Sequence, residues 1–191
     1  IYLSYIGGYG SDEDTLAMIN SFETILLSGD YHSSRFTGYP VAEFIIGFFS
    51  FYFGSFYINL IIFFSFVVSL FFIFYTFQNN KRLKFNDNKL ILFFLFCLSN
   101  PILFFDNIEP IDYSLAFLFF SLGTFFYSKK LLQLAYIFFI VTLGTRLNFA
   151  IFIIIFIYFF EFKNFKYSKL DKISSIFLVI FGGCLFYVPI W

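Results

Sequence analysis

An all-helical, polytopic membrane protein is the fold class this 191-residue sequence predicts, and three observations carry that prediction. Hydrophobic residues make up 60% of the chain, aromatics 28% and charged residues only 13%, with a mean hydropathy of +0.85, which leaves too little polar surface to cover a water-soluble domain. The apolar residues come in long runs without β-barrel alternation, so the segments read as helices. Charge is segregated by loop. Ten of the twelve Lys and Arg fall in loops that the positive-inside rule assigns to the cytoplasm, and nine of the twelve Asp and Glu fall on the other side. The formal net charge of zero comes with no basic face, which argues against nucleic acid as a partner.

The elements follow in order within a single transmembrane domain, 1–191. Ile1 to Tyr9 is too short to span or to serve as a cleavable signal, and it reads as the outer end of a truncated first helix. Residues 10–55 form an outer loop. Its stretch Gly10 to Glu43 holds six of the twelve acidic residues, the single His and one Arg. Within it Thr15 to Leu27 has amphipathic spacing. Val41 to Phe53 is apolar but only about 13 residues, roughly 20 Å of helix, and cannot cross a hydrocarbon layer of roughly 30 Å. It is expected to lie in the interface or to re-enter.

After a break at Gly54 and Ser55, residues 56–191 supply about six membrane segments. Phe56 to Phe77 is the clearest span, with Asn59 its one strongly polar member. The loop Gln78 to Lys89 carries Lys81, Arg82, Lys84 and Lys89 and is placed inside. Leu90 to about Phe105 crosses back, with a kink expected at Asn100-Pro101, and reaches an outer acidic turn of Asp106, Glu109 and Asp112. Tyr113 to Tyr127 returns to Lys129 and Lys130. Leu131 to Phe160 fits one long helix or two short ones around Gly144-Thr145-Arg146-Leu147-Asn148. Charge parity selects the hairpin, because only then does the next loop, with Lys163, Lys166, Lys169 and Lys172, lie inside. The junction is then sunk in the bilayer and must line a protein cavity. A last span runs from Ile173 to about Tyr187.

The residues able to carry chemistry gather on the outer side. Asp12, Glu13 and Asp14 follow the first helix; they suit the first turn of a helix capped by Ser11 or Asp12, and equally a general base acting on an acceptor hydroxyl. Only one of the three is needed for the cap. Arg35 and Arg146 are the two outer-side cations. Arg35 serves either a headgroup or salt-bridge role or an anionic ligand. Arg146, at helix-centre depth, costs about 2.5 to 3.5 kcal/mol on insertion scales and needs a partner: Asp106, Glu109 or Asp112, or the phosphate of a lipid carrier. His32 has no second His or Cys nearby, so a zinc site is not expected and a surface or acceptor contact is. Glu43 heads the interfacial helix, where it favours the helix dipole or contacts a substrate hydroxyl. Gly7, Gly8 and Gly10 lack the Lys-Ser/Thr of a phosphate loop. Cys97 and Cys184 sit in apolar runs and are expected to be small packing residues.

An Asp-Glu pair after the first span, the amphipathic helix, Gly-Asp-Tyr at 29–31, and Ser34-Arg35-Phe36-Thr37-Gly38-Tyr39-Pro40 leading into a short apolar helix together resemble the GT-C superfamily. These are polyprenyl-phosphate-sugar-dependent glycosyltransferases, including protein O-mannosyltransferases and lipid A aminoarabinose transferases. The acidic turn and Gly-Thr-Arg at 144–146 also look like that pattern. The resemblance implies a helical bundle with an interfacial helix in its first outer loop. It also implies inverting transfer from a polyprenyl-phosphate-sugar donor to a protein, glycan or lipid acceptor at the non-cytoplasmic face. It maps the catalytic carboxylate onto Asp12 with Glu13 beside it; Asp14 adds a third acid and leaves the base open between Asp12 and Asp14. Gly-Tyr-Pro departs from the usual His or Lys with Pro-Pro, so the resemblance does not fix the sugar or acceptor class; Tyr39 is grouped with His32, Glu43, Asp106 and Glu109 as acceptor or supporting residues. No cofactor is required and no metal is indicated. Two other classes compete: a polytopic transporter, and a non-catalytic membrane assembly subunit.

Overall fold

A computed structural model of the chain describes residues 13–34, 38–78, 87–100, 112–159 and 168–188. Every element among them is an α-helix: α1 (Glu13–Ser28), α2 (Pro40–Phe53), α3 (Ser55–Gln78), α4 (Asp87–Ser99), α5 (Asp112–Ser128), α6 (Leu132–Thr145), α7 (Phe149–Phe159) and α8 (Lys169–Leu185). The expected all-α class is what forms. Among the described residues α3 alone is long and apolar enough to cross a bilayer by itself; its 24 residues reach about 36 Å. The other helices, at 11 to 17 residues, reach about 17 to 26 Å.

Ring contacts give the helix directions. Ile58, early in α3, packs in one cluster with Leu115, early in α5, while Tyr75 near the end of α3 meets Phe125 near the end of α5. These two helices therefore run the same way. Helix α4 returns, with Phe94 against Phe71. The turn Lys129-Lys130 closes an α5–α6 hairpin, Lys130 adopting φ +67°. Helix α7 again runs parallel to α5: Phe149 meets Phe120 and Phe156 meets Tyr127. Helices α6 and α7 are thus antiparallel, the hairpin that charge parity selects, and they part at Arg146-Leu147-Asn148.

Helix α8 starts beside the beginning of α6, where Tyr136 Oη and Ser175 Oγ share a hydrogen bond of 2.6 Å, and just past its end the Tyr187 hydroxyl donates to the Leu143 carbonyl at 2.7 Å. One end of the bundle accordingly carries Lys129, Lys130 and the start of α8. The opposite end carries Asp112, Arg146 and Tyr187.

Small residues let these helices close. A Cβ on Gly183 would lie 2.6 Å from Leu143, one on Gly123 would lie 2.6 Å from the Phe139 ring, and one on Gly144 would lie 2.8 Å from Val41. The core between α5, α6, α7 and α8 is built on Tyr127, Phe139, Leu143, Ile153, Phe156 and Val179. Buried hydroxyls in these apolar segments bond back to their own helix, as Ser121 does to Leu118 O, Thr142 to Phe138 O and Thr145 to Val141 O.

Helices α1 and α2 cap the acidic end. Met18 and Ile19 of α1 and Ala42 and Ile46 of α2 join Ile58, Ile62 and Leu115 in a second cluster. Helix α2 begins beside α6, where Val41 meets Gly144, and ends beside α3, where Phe53 meets Tyr57. It turns into α3 through Gly54, whose φ of +78° at the helix end suits a residue without Cβ.

Of the two cysteines, Cys97 packs with Phe66 and Leu70 as expected. Cys184 does not pack: it is exposed. The reason is register, because α8 buries Ser175, Val179 and Gly183 at four-residue spacing, and Cys184 lies one position off that stripe.

Candidate functional site

The acidic end holds two buried carboxylates, and different elements satisfy them. Arg146 ends α6 in extended backbone (φ −159°, ψ 114°), its amide still bonded to Thr142 O at 2.8 Å. That change of direction turns the side chain from the α6 axis toward the first turn of α5. Its Nη1 donates to both oxygens of Asp112, at 2.7 and 2.6 Å, and its Nη2 donates to the Tyr113 hydroxyl. The guanidinium carbon lies 3.4 Å from the Tyr113 ring centre and 5.4 Å from that of Tyr39, so two aromatic rings flank the charge. Arg146 is 7% exposed and Asp112 1%. The Arg146 Nε is buried without a hydrogen-bond partner. Of the three acids that the sequence offers Arg146, Asp112 is among the described residues and pairs with it; Asp106 and Glu109 lie outside the described residues.

Glu43 is fully buried. Its Oε1 accepts from the Ser34 amide at 3.1 Å, the Tyr39 amide at 3.0 Å and the Ser34 hydroxyl; its Oε2 accepts from the Tyr31 hydroxyl and, at 3.3 Å, from Ser21 Oγ. The single Ser21 hydroxyl proton is shared between Glu43 and the nearer His32 carbonyl. This carboxylate therefore ties α1, the connecting loop and the start of α2 into one knot. Glu43 stands in the first turn of α2, where a carboxylate is expected to favour the helix dipole, and protein donors occupy both of its oxygens. Burial raises the Tyr31 pKa well above the usual tyrosine value, and the bond to Glu43 raises it further, so Tyr31 stays a neutral donor. Tyr39 links the two carboxylate sites, its amide donating to Glu43 Oε1 while its ring lies 5.4 Å from the guanidinium carbon that Asp112 pairs, and Tyr187 bonds to Leu143 O at the same end.

The remaining candidates divide. His32 is exposed and Tyr39 half-buried. Glu13 and Asp14 open α1, which packs on α2 at this same end; Asp12 and Arg35 lie outside the described residues. The sequence singles out Asp112 only as one of three partners for Arg146, and it gives no individual role to Ser21, Tyr31, Ser34, Tyr113 or Tyr187, all of which the structure brings into the site. Tyr31 belongs to the Gly-Asp-Tyr stretch at 29–31, Ser34 opens the segment before α2 and Tyr113 adjoins Asp112, so these three have a local signal in the sequence; Ser21 and Tyr187 have none. Among the described residues no group of His, Cys, Asp and Glu is arranged to hold a metal ion.

Tyr113 has a second neighbour. It lines an apolar cavity of about 330 Å³ between α3, α4, α5 and α7, together with Phe66, Leu70, Phe93, Phe117 and Phe149. One tyrosine thus forms a wall of a greasy cavity and a face of the guanidinium. No protein family, curated protein or solved structure matches the chain.

Proposed function

We propose that the chain is part of a polytopic, GT-C-like glycosyltransferase that moves a sugar from a polyprenyl-phosphate carrier to a hydroxyl acceptor at the non-cytoplasmic face. In this reading the segments from α3 to α8 lie in the bilayer with the Lys129-Lys130 end in the cytoplasm, and α1 and α2 lie over the outer leaflet. The acceptor oxygen attacks the anomeric carbon and its proton passes to Asp12 or Asp14. The bond from that carbon to the phosphate oxygen breaks, leaving the electron pair on the polyprenyl phosphate and inverting the centre. Arg146, with Arg35, stabilises the charge that develops on the leaving phosphate.

The observation that carries this reading is the meeting at Tyr113 of a buried guanidinium and an apolar cavity. A lipid phosphate has the same two parts, an anionic head and a hydrocarbon chain. The Nε–H of Arg146 is buried without a hydrogen-bond partner, a donor that a phosphate oxygen would satisfy on reaching the guanidinium, and about 330 Å³ falls within the roughly 300–1,000 Å³ of ligand pockets. The test is consumption of lipid-linked sugar by the full-length protein and its Asp12→Asn, Asp14→Asn and Arg146→Lys variants. Loss of turnover in one aspartate variant and in Arg146→Lys is expected. Full turnover in both aspartate variants removes the proposed base.

A transporter is the second reading, favoured by one feature: the α6–α7 break puts extended backbone beside a buried charge, as discontinuous helices do at transport sites. Uptake of a solute without consumption of lipid-linked sugar would decide for it.

A further inference from the structure

We propose that Glu43 is a positioning residue: it sets Tyr39 as the cover over the Arg146 guanidinium and so governs how readily an anion reaches that charge. The cover itself stands on geometry alone; its consequence for a lipid phosphate rests on the function proposed above. Tyr39 is held from both sides by one residue, since its amide donates to Glu43 Oε1 at 3.0 Å and its carbonyl accepts from the Glu43 amide at 2.8 Å. Pro40 follows at once and fixes the entry into α2. Val41 is braced against Gly144, two residues before Arg146. With the Tyr39 backbone clamped and the first turn of α2 wedged on the end of α6, the ring lies 5.4 Å from the Arg146 guanidinium carbon. Glu43 touches neither Arg146 nor the apolar cavity. It acts through Tyr39.

The donor set of Glu43 makes charge and position separable. Oε1 faces two backbone N–H groups, which can only donate, whereas Oε2 faces the hydroxyls of Ser21 and Tyr31, which can turn and accept. A glutamine with its carbonyl at the Oε1 position and its NH₂ toward the hydroxyls keeps every bond. A leucine of similar size keeps none.

The experiment is labelling of Arg146 by phenylglyoxal in the full-length protein in lipid nanodiscs, read by peptide mass spectrometry. Wild type, Glu43→Gln, Glu43→Leu, Tyr39→Ala and the Glu43→Leu/Tyr39→Ala double variant are compared. Glu43→Leu is expected to raise the labelling rate about tenfold, as loss of roughly one hydrogen bond's worth of ordering implies, and Glu43→Gln to stay within about twofold of wild type. The double variant is expected to label no faster than Tyr39→Ala, because the two residues act in series. A Glu43→Leu rate equal to wild type, or additive effects in the double variant, overturns the proposal. If Glu43→Leu does not yield folded protein, Tyr31→Phe and Ser34→Ala each remove one hydroxyl donor and must raise the rate in smaller steps; no rise in either also overturns it. A parallel arm adds geranylgeranyl phosphate. Its failure to protect Arg146 in wild type counts against the lipid-phosphate reading, and the variant ratios still decide the role of Glu43.

Discussion

Replacing Asp112 by Asn separates shape from charge at the most consequential contact in the molecule. The side chain keeps its volume and one oxygen for Arg146 Nη1, yet the guanidinium, 7% exposed, loses the only acidic partner it has among the described residues. Coulomb's law at an effective dielectric of about 20 assigns such a pair about 4 kcal/mol at 4 Å. Removing one member of a buried pair typically costs about 3–5 kcal/mol. The flanking rings of Tyr113 and Tyr39 retain part of the stabilisation, up to about 2 kcal/mol for a desolvated cation, so the lower end applies. A loss of about 3 kcal/mol corresponds to a fall of roughly 6–12 °C in melting temperature for a chain of this size. The assay is thermal unfolding of the full-length protein in detergent, monitored by size-exclusion fluorescence. The double variant Asp112→Leu/Arg146→Met removes both charges and is expected to recover most of the loss, because paired apolar replacements of buried ion pairs are commonly neutral or better. A fall of less than about 2 °C for Asp112→Asn, or a double variant less stable than the single, would show that Arg146 does not depend on this carboxylate.

Three further outcomes follow from the packing. Gly47→Ala would drive a Cβ into Phe22 Cβ and Cγ, atoms too near the backbone to swing away, so α1 should loosen from α2 at a cost of about 1–3 kcal/mol; faster proteolysis within 13–28 checks this. Ser168 accepts from the Asp171 amide at 3.1 Å while Asp171 accepts from the Ser168 amide at 3.2 Å, a capping box whose removal in Ser168→Ala should lower stability by about 1 kcal/mol, read as a lower melting temperature. Tyr31, held neutral by burial and then by Glu43, should show no phenolate absorbance near its ordinary value of about 10. Because its folded pKa is raised, the stability it lends is whole below about pH 10 and is lost as pH climbs from there toward the folded value; Tyr31→Phe should flatten that alkaline decline in a melting series.

Much of this architecture is legible along the chain because the forces that set it are local. Apolar runs bounded by Gly, Pro and charge mark α2, α3, α5, α6 and α7 within one to three residues of their ends, and charge parity selects a hairpin, with its junction around 144–148, over one long helix. The cost of burying a cation is enough to require a partner for Arg146, an acid or a phosphate. Cys184 goes the other way, exposed where packing is expected, because the face that α8 buries is a stripe of Ser175, Val179 and Gly183, small residues that hydropathy does not single out.

What composition, run length and loop charge determine by themselves is the helical class, the order of the elements and the separation of a lysine end from an acidic end. Only the tertiary structure decides that Asp112 holds Arg146, that Tyr113 joins this pair to an apolar cavity, and that Glu43 is a knot of protein hydrogen bonds and not an open carboxylate. The reason is physical: hydropathy and charge act residue by residue, whereas the partner of a buried polar group is chosen by which helix ends packing brings within about 3 Å, and Asp112 stands 34 residues from Arg146 along the chain.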